Sequence, residues 1–390
     1  MTSQYARTRP PAPQGSDVRE IGSNFELVED RYLGLTPSKS LPWEDSSATI
    51  YVESGRQALA LVETELRSQG HTQLHVPSYL CDSMIAPFHR TGWTLRQLPV
   101  DRNLSVEPTD LLSRVTTGVL LHTPYFGRQD SRSMLAALET LRRRGVVVIV
   151  DETHRLFSGP SKVADIRVAS LRKLLPVYDG GYVTGLSARL QTGLAASYSD
   201  SEVADLREMA SITKTRALAS GDSNDAHLAL FAEAEHATHV RRQPTQISSK
   251  SLSLLHRLDL KLIRMTRQAN SALLAQALGH SDRFRIVNPP SADLLPSHLV
   301  LKTDDVTELQ QYMKERRIYC TIHWPPSELL PRTEDWPSCY ISLHLDHRYG
   351  APDMLRMADN VTRFFAEKPA RTDSKTVKVH KFDYTHLQED

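Results

Sequence analysis

Between residues 50 and 185 short apolar runs alternate with helical patterns. The runs "LHVP" (74–77), "TLRQLPV" (94–100), "GVLLHT" (118–123), "VVVIV" (146–150), "DIRVAS" (165–170) and "GYVTG" (181–185) read as strands. "VVVIV" is apolar at every position, which suits a parallel strand covered on both faces. Helices fit between the runs at 55–69, 81–91, 108–113 and 131–144. This alternation predicts an α/β fold, a large domain with a mostly parallel doubly wound sheet whose ligands lie at the carboxyl ends of its strands. Residues 200–280 read as mostly helical, and Leu255, Leu258, Leu262, Met265, Ala269 and Leu273 recur at steps of three or four along 253–278. From 283 the pattern turns into a small C-terminal α+β domain. It contains "FRIVNP", "SHLVLKT", a helix at 304–316, "IYCTIHWP", "YISLHL" and a helix at 352–366. The expected organisation is a disordered segment 1–20 rich in Pro, Ser and Gly, a large domain 21–250, a bridging helix with the small domain 251–367, and a solvated tail 368–390.

Composition narrows the partners. The chain has 390 residues, 40% hydrophobic and 24% charged, enough for a core that needs no staples. Lys plus Arg is 47 against 46 for Asp plus Glu, so no global field draws it to nucleic acid or membrane. No apolar run approaches the roughly 20 residues of a membrane span, and the first 17 residues lack the apolar centre of a secretory signal. Cys81, Cys320 and Cys339 are too few and too scattered for a disulfide framework or a zinc site. Reduced thiols in a cytoplasmic protein are the expectation.

Four pieces carry candidate chemistry. In "ESGRQALALVETEL" Ser54 can cap a helix starting near Gly55, with Gln57 completing a capping box, and the free N–H groups of such a start bind phosphate. In "VVVIVDETHRLFSG" Asp151 follows a buried strand, where a carboxylate without a partner is costly. It is stable if it holds a cation, and a protonated pyridine nitrogen is one; standing alone it reads first as a helix cap. His154, three residues on, could reach the phenolic oxygen of such a ring, or be a satisfied loop histidine. In "SLRKLLPVYDGG" Lys173 stands three residues after Ser170 and six before Asp179. Gly180 and Gly181 permit a tight turn. Lys173 would form a Schiff base and Ser170 would contact a phosphate.

In this order the pieces resemble fold-type-I pyridoxal phosphate enzymes, and among them the DegT-type aminotransferases often linked to sugar amination. The resemblance runs from about residue 50 to 366. "SGRQAL" resembles the family's Ser-Gly-Thr-x-Ala-Leu phosphate loop, which implies that Gly55 and Arg56 face the phosphate. "VPSYLCDSMIAPF" resembles its Val-Pro-Ser-Tyr-Thr segment, "HTPYFGRQDS" its His-x-Tyr-Gly strand end, and "VDETH" its Glu-Asp-Ala-Ala-Gln/His. The resemblance implies a pyridoxal 5'-phosphate cofactor on Lys173, Asp151 on its pyridine nitrogen and His154 near its phenolic oxygen. "IYCTIHWP" resembles the small-domain strand ending in Pro-Leu-His, which makes His323 a candidate for the substrate.

The departures are specific. The family's Ser-Phe-x-x-x-Lys is shortened to Ser-Leu-Arg-Lys. Where many members stack an aromatic residue on the ring this chain has Cys81, so either Tyr79 takes over or the stacking at Cys81 is weaker. The Asn-Tyr-Arg motif that reaches a neighbouring subunit's phosphate is missing. "RRQPTQISS" lies near its place, so Arg241, Arg242 and Gln246 are the segment expected to cross over in a homodimer. Arg348, after a probable strand, could bind a substrate carboxylate or form a surface salt bridge. His236 and His239 have the spacing of metal ligands but read first as exposed helical residues, so no metal is expected. The resulting expectation is an aminotransferase with a small-molecule amino donor and acceptor. Two alternatives stay open: different chemistry at Cα with the same cofactor, and a cofactor-binding sensor without turnover.

Overall fold

The computed structural model describes residues 19–44, 48–101, 103–187, 190, 202–220, 226–241, 243–291, 295–331 and 339–368. The terminal segments expected to be disordered lie almost wholly outside them, as does Arg242.

After a two-residue strand β1 (Ile21–Gly22) come β2 (Thr49–Val52), β3 (Gln73–Pro77), β4 (Thr94–Leu98), β5 (Val119–His122), β6 (Val147–Asp151), β7 (Ile166–Ser170) and β8 (Gly181–Thr184). Strands β2 to β8 form a seven-stranded sheet among the described residues, in the order β2-β8-β7-β6-β5-β3-β4. Pairings from β4 through β7 are parallel; β8 and β2 close one edge antiparallel. Burial explains the all-apolar run in β6: Val148, Ile149 and Val150 are each fully covered. Helices α1 (Gly55–Ser68), α2 (Ala86–Arg90), α3 (Pro108–Arg114) and α4 (Arg132–Arg143) lie between the strands. The helix expected over 81–91 is split into a 3-10 turn at Asp82–Met84 and the short α2. Pro87 is the reason, because its ring is tolerated only in a first turn.

Helices α5 (Glu202–Ser220) and α6 (Ala226–Val240) pack on each other beside α1. The long helical stretch of 253–278 is two helices, α7 (Ser249–Arg257) and α8 (Leu260–Leu278). Asp259 makes the break: its carboxylate accepts from Leu262 N at 2.9 Å and its own N–H bonds to Tyr32 O at 2.7 Å. Such a cap contributes about 1 kcal/mol to the helix it starts.

The small domain holds β9 (Arg285–Ile286), β10 (Leu299–Lys302), α9 (Val306–Glu315), β11 (Ile318–Tyr319), β12 (Thr321–His323), β13 (Tyr340–Leu343) and α10 (Ala351–Glu367). Its main sheet runs β12-β13-β10-β9. Strand β1 pairs in parallel with β11, and Ile21 joins the core of Leu299, Ile341 and Val361. The first described residues therefore build onto the small domain, where a boundary at residue 21 would place them in the large one. Among the described residues no helix is long and apolar enough to cross a membrane, and no cluster of His, Cys, Asp and Glu could hold a metal.

Candidate active site

One recess collects most of the singled-out residues. Its walls include Ser54, Gly55 and Arg56 at the start of α1, Asp151 and Thr153 after β6, Ser170, Arg172 and Lys173 after β7, and Glu235 and Thr238 of α6. It lies at the carboxyl ends of two parallel strands, as the α/β pattern requires.

Close backbone approach builds the end of the recess at the start of α1. A Cβ on Gly181 would sit 2.5 Å from Ser54 C, and one on Gly55 would sit 3.0 Å from Ser170 Cβ. Both glycines let β8 and β7 press the start of α1 into the recess. Ser54 Oγ accepts from Gln57 N at 3.3 Å, which is the expected cap. The expected capping box does not form, because the Gln57 side chain turns to Glu53 Oε1 at 3.1 Å and Thr245 N at 3.0 Å.

At the other end Asp151 Oδ1 accepts from Thr153 N at 2.9 Å, and Thr153 Oγ1 accepts from Ser170 N at 2.9 Å. This pair of bonds ties the ends of β6 and β7 and fixes the carboxylate. Asp151 has no cation within ion-pair distance among the described residues. Lys173 is exposed on the rim and bonds to none of them. The Asp179 of the Asp-Gly-Gly turn has a different task. It accepts from Ser248 Oγ at 2.6 Å and Ser248 N at 2.9 Å, buried at the start of α7.

His154 lies behind the recess. It is buried, stacked on Phe126 with centroids 5.4 Å apart and on Trp324 at 6.0 Å. Its Nδ1 accepts from Phe126 N at 3.2 Å, which leaves the ring proton on Nε2. Burial, then the charges of Lys173 and His323, push its pKa well below the usual value. His323, 6.3 Å from His154, is also buried, with both ring nitrogens unpartnered. Burial and Lys173 bring its pKa down to about 3, so it too is neutral.

Five expected residues are elsewhere. Tyr79 is a fully buried member of a cluster with Tyr125, Trp324 and Tyr340, and its hydroxyl donates to His323 O. Cys81 meets Ser83 Oγ at 3.2 Å, and Ser83 and Met84 line the recess in its stead. Arg348 is buried, with its guanidinium on Asp346 at 2.8 and 3.0 Å, Glu26 at 2.8 Å and the Asn24 carbonyl at 2.9 Å. Its guanidinium is thus saturated by partners of its own chain, and the salt bridges it forms are buried rather than at the surface. Arg241 is committed within its own chain to Glu53 at 2.9 Å and Glu202 at 3.4 Å, and Gln246 bridges Val52.

Sequence reasoning missed Arg172, Thr153, Glu235 and Thr238. Arg172 and Thr153 adjoin residues it did single out; Glu235 and Thr238 arrive from a helix with no motif. A second recess, at the end of β5, is lined by Leu98, Thr123, Arg128 and Met134 and by His122 and Asp130. The last two satisfy each other at 2.8 Å, so this recess lacks the free acid and amine of the first.

No protein-family model matches the chain, and no curated protein matches it in sequence. Solved structures do. DesV of S. venezuelae in complex with a ketimine intermediate is 20% identical over 83% of this chain and 85% of its own, with a TM-score of 0.58. PseC of Helicobacter pylori, an aminotransferase of pseudoaminic acid biosynthesis, is 11% identical over 90% and 100%, with a TM-score of 0.61. A DegT DnrJ EryC1 StrS aminotransferase from Brucella abortus is 15% identical over 82% and 86%, with a TM-score of 0.55. The chain therefore has the fold of the DegT-type aminotransferases that its motifs resemble.

Proposed function

We propose that the protein is a pyridoxal-phosphate-dependent aminotransferase whose acceptor is a keto-sugar. The observation that carries this is one recess holding a partner-free lysine, a carboxylate without a cation and a glycine-lined helix start. Those features fit the cofactor's aldehyde, pyridinium and phosphate in turn. The sugar acceptor follows from the similarity to PseC and to the other sugar aminotransferase structures.

When bound, the cofactor supplies a carbonyl that takes up an amino group and a ring that accepts the electron pair released at the substrate carbon. The chain's residues do the rest. Lys173 Nζ holds the cofactor and takes up and returns the proton at the substrate carbon. Asp151, oriented by Thr153 N–H, keeps the ring nitrogen protonated. Ser54, Gly55, Arg56 and Ser170 bind the phosphate at the amides of α1. His154 and His323, neutral and packed behind Lys173, add no charge to compete with it. The partners are an amino donor and the acceptor.

Lys173 is exposed on the rim, so the reaction needs a second wall to exclude water. A two-fold partner subunit is the simplest one. Sedimentation should give about twice the 43.9 kDa chain mass. A fully active monomer would remove that part of the reading. The three free thiols favour a cytoplasmic location.

The test of function is a donor screen on the cofactor-loaded protein, read by absorbance. Conversion of the bound cofactor to pyridoxamine phosphate by an amino acid, and its reversal by a keto-sugar, is the expected result. Absence of conversion with every donor would refute transamination.

A further inference from the structure

One ion pair stands at the end of the recess where the amides of α1 point. Arg172 Nη2 and Arg207 Nη2 both reach Glu235 Oε2, each at 3.0 Å. Arg172 and Glu235 face each other across the recess, one from the turn before Lys173 and the other from α6. Arg56, in the first turn of α1, lines the same end. It has no carboxylate within ion-pair distance among the described residues; its polar contact is His239 Nδ1 at 3.4 Å. Burial pushes the Glu235 carboxyl up, but Arg172, Arg207 and Arg56 together hold it below its usual range. Two guanidiniums thus bind one carboxylate beside a helix start, with a third close enough to add its field. All are groups that bind a phosphate equally well.

We propose that Glu235 is a built-in competitor for the phosphate: it holds Arg172, and a phosphate at the start of α1 takes Arg172, together with Arg56, away from it. The exchange moves no covalent bond. Helix α6 stays anchored to α5 when it happens, because Arg207 also donates to Thr238 Oγ1 at 2.9 Å. Phosphate affinity is then set inside one chain. The proposal rests on the reading of this recess as a phosphate site.

The test is the affinity of the full chain for inorganic phosphate, by calorimetry, and for pyridoxal phosphate, by fluorescence. Glu235→Gln keeps the volume and removes the competing charge, so both ligands should bind about tenfold more tightly. Arg56→Met and Arg172→Met should each bind both about tenfold more weakly. A Glu235→Gln protein with unchanged or weaker affinity would show that Glu235 only braces α6 and would overturn the proposal. If that variant folds poorly by circular dichroism, Glu235→Asp decides. Its shorter side chain withdraws from Arg172, and tighter binding is again expected. If neither ligand binds the wild type or any variant, the phosphate site itself fails and the proposal with it. If both bind the wild type and Glu235→Gln equally, the site stands and only the competitor role falls.

Discussion

Two groups of charges lie at the ends of this molecule's strands, and they are built on opposite plans. Every nitrogen of the Arg348 guanidinium has an acceptor: Asp346, Glu26 and the carbonyls of Ser23 and Asn24 surround it, and Lys214 completes the group on Glu20 and Glu26. Around Lys173 the charges are left open: among the described residues Lys173 is without a partner, Asp151 has only a backbone N–H, and Arg56 has only a histidine nitrogen. A saturated cluster has no capacity left for a ligand and clamps the first described residues to the small domain. An open one is costly until something binds it. The difference separates a clamp from a site better than position along the chain does, since both lie at element ends.

The sharpest way to break the comparison is Asp151→Asn. The volume and the Thr153 contact survive, so pyridoxal phosphate should still bind at comparable occupancy. Turnover should fall by about 10³, because the lost charge acts chiefly when negative charge develops on the ring. Steady-state kinetics on cofactor-saturated protein makes the measurement. A loss of only a few-fold would return Asp151 to a structural role.

Arg348→Met tests the clamp. Removing the guanidinium takes the nearest cation from Asp346 and Glu26, and breaking such a buried pair costs about 3–5 kcal/mol. The loss should appear in chemical denaturation, with cofactor affinity in the folded protein little changed. Its pH dependence follows from Glu26. Burial raises that carboxyl, but Arg348 and Lys214 outweigh burial and bring it from an ordinary 4.5 down to about 2. A depressed carboxylate stabilises the fold above its unfolded value and loses that contribution as the pH falls toward its folded value. Wild-type stability should therefore drop between pH 4.5 and 2. The Arg348→Met protein, with Glu26 already unpaired from it, should show a shallower drop. Equal slopes would mean that Arg348 does not set the titration.

Much of the sheet was legible because its burial is one-dimensional. A strand covered on both faces must be apolar at every position, and β6 is. Local chemistry also gave Ser54, Asp151, Ser170 and Lys173, which sit at strand ends or helix starts within a few residues of their neighbours. What was not legible comes from residues distant in the chain. Arg348 read as open to a substrate because Glu26, more than 300 positions earlier, is invisible to a local pattern. Glu235 and Thr238 reach the recess only through the packing of α6 beside α1. The break at Asp259 was hidden because the leucine spacing runs through it unchanged; only the cap and the contact with Tyr32 end the helix.

The smallest expected effect tests whether an aspartate near Lys173 matters by position or by partners. Asp179 is the acid nearest Lys173 in the sequence, six residues on, yet it is buried and its oxygens are taken by Ser248. Burial raises its pKa above an ordinary 3.8, despite hydrogen bonds from Ser248 and Ser251 that lower it. The ionised form is thus the disfavoured one in the folded protein. A carboxyl with a raised folded pKa contributes most below its unfolded value and loses that contribution as the pH rises through the folded one. Asp179→Asn removes the buried charge and keeps an acceptor for Ser248 N–H. At neutral pH its stability should lie within about 1 kcal/mol of wild type, and its relative stability should improve as the pH rises from 3.8 toward neutral. Borohydride reduction should still leave the pyridoxyl mass on Lys173, and turnover should stay within a few-fold. A collapse of turnover like that expected of Asp151→Asn would show that saturation by neighbours does not separate the clamp from the site.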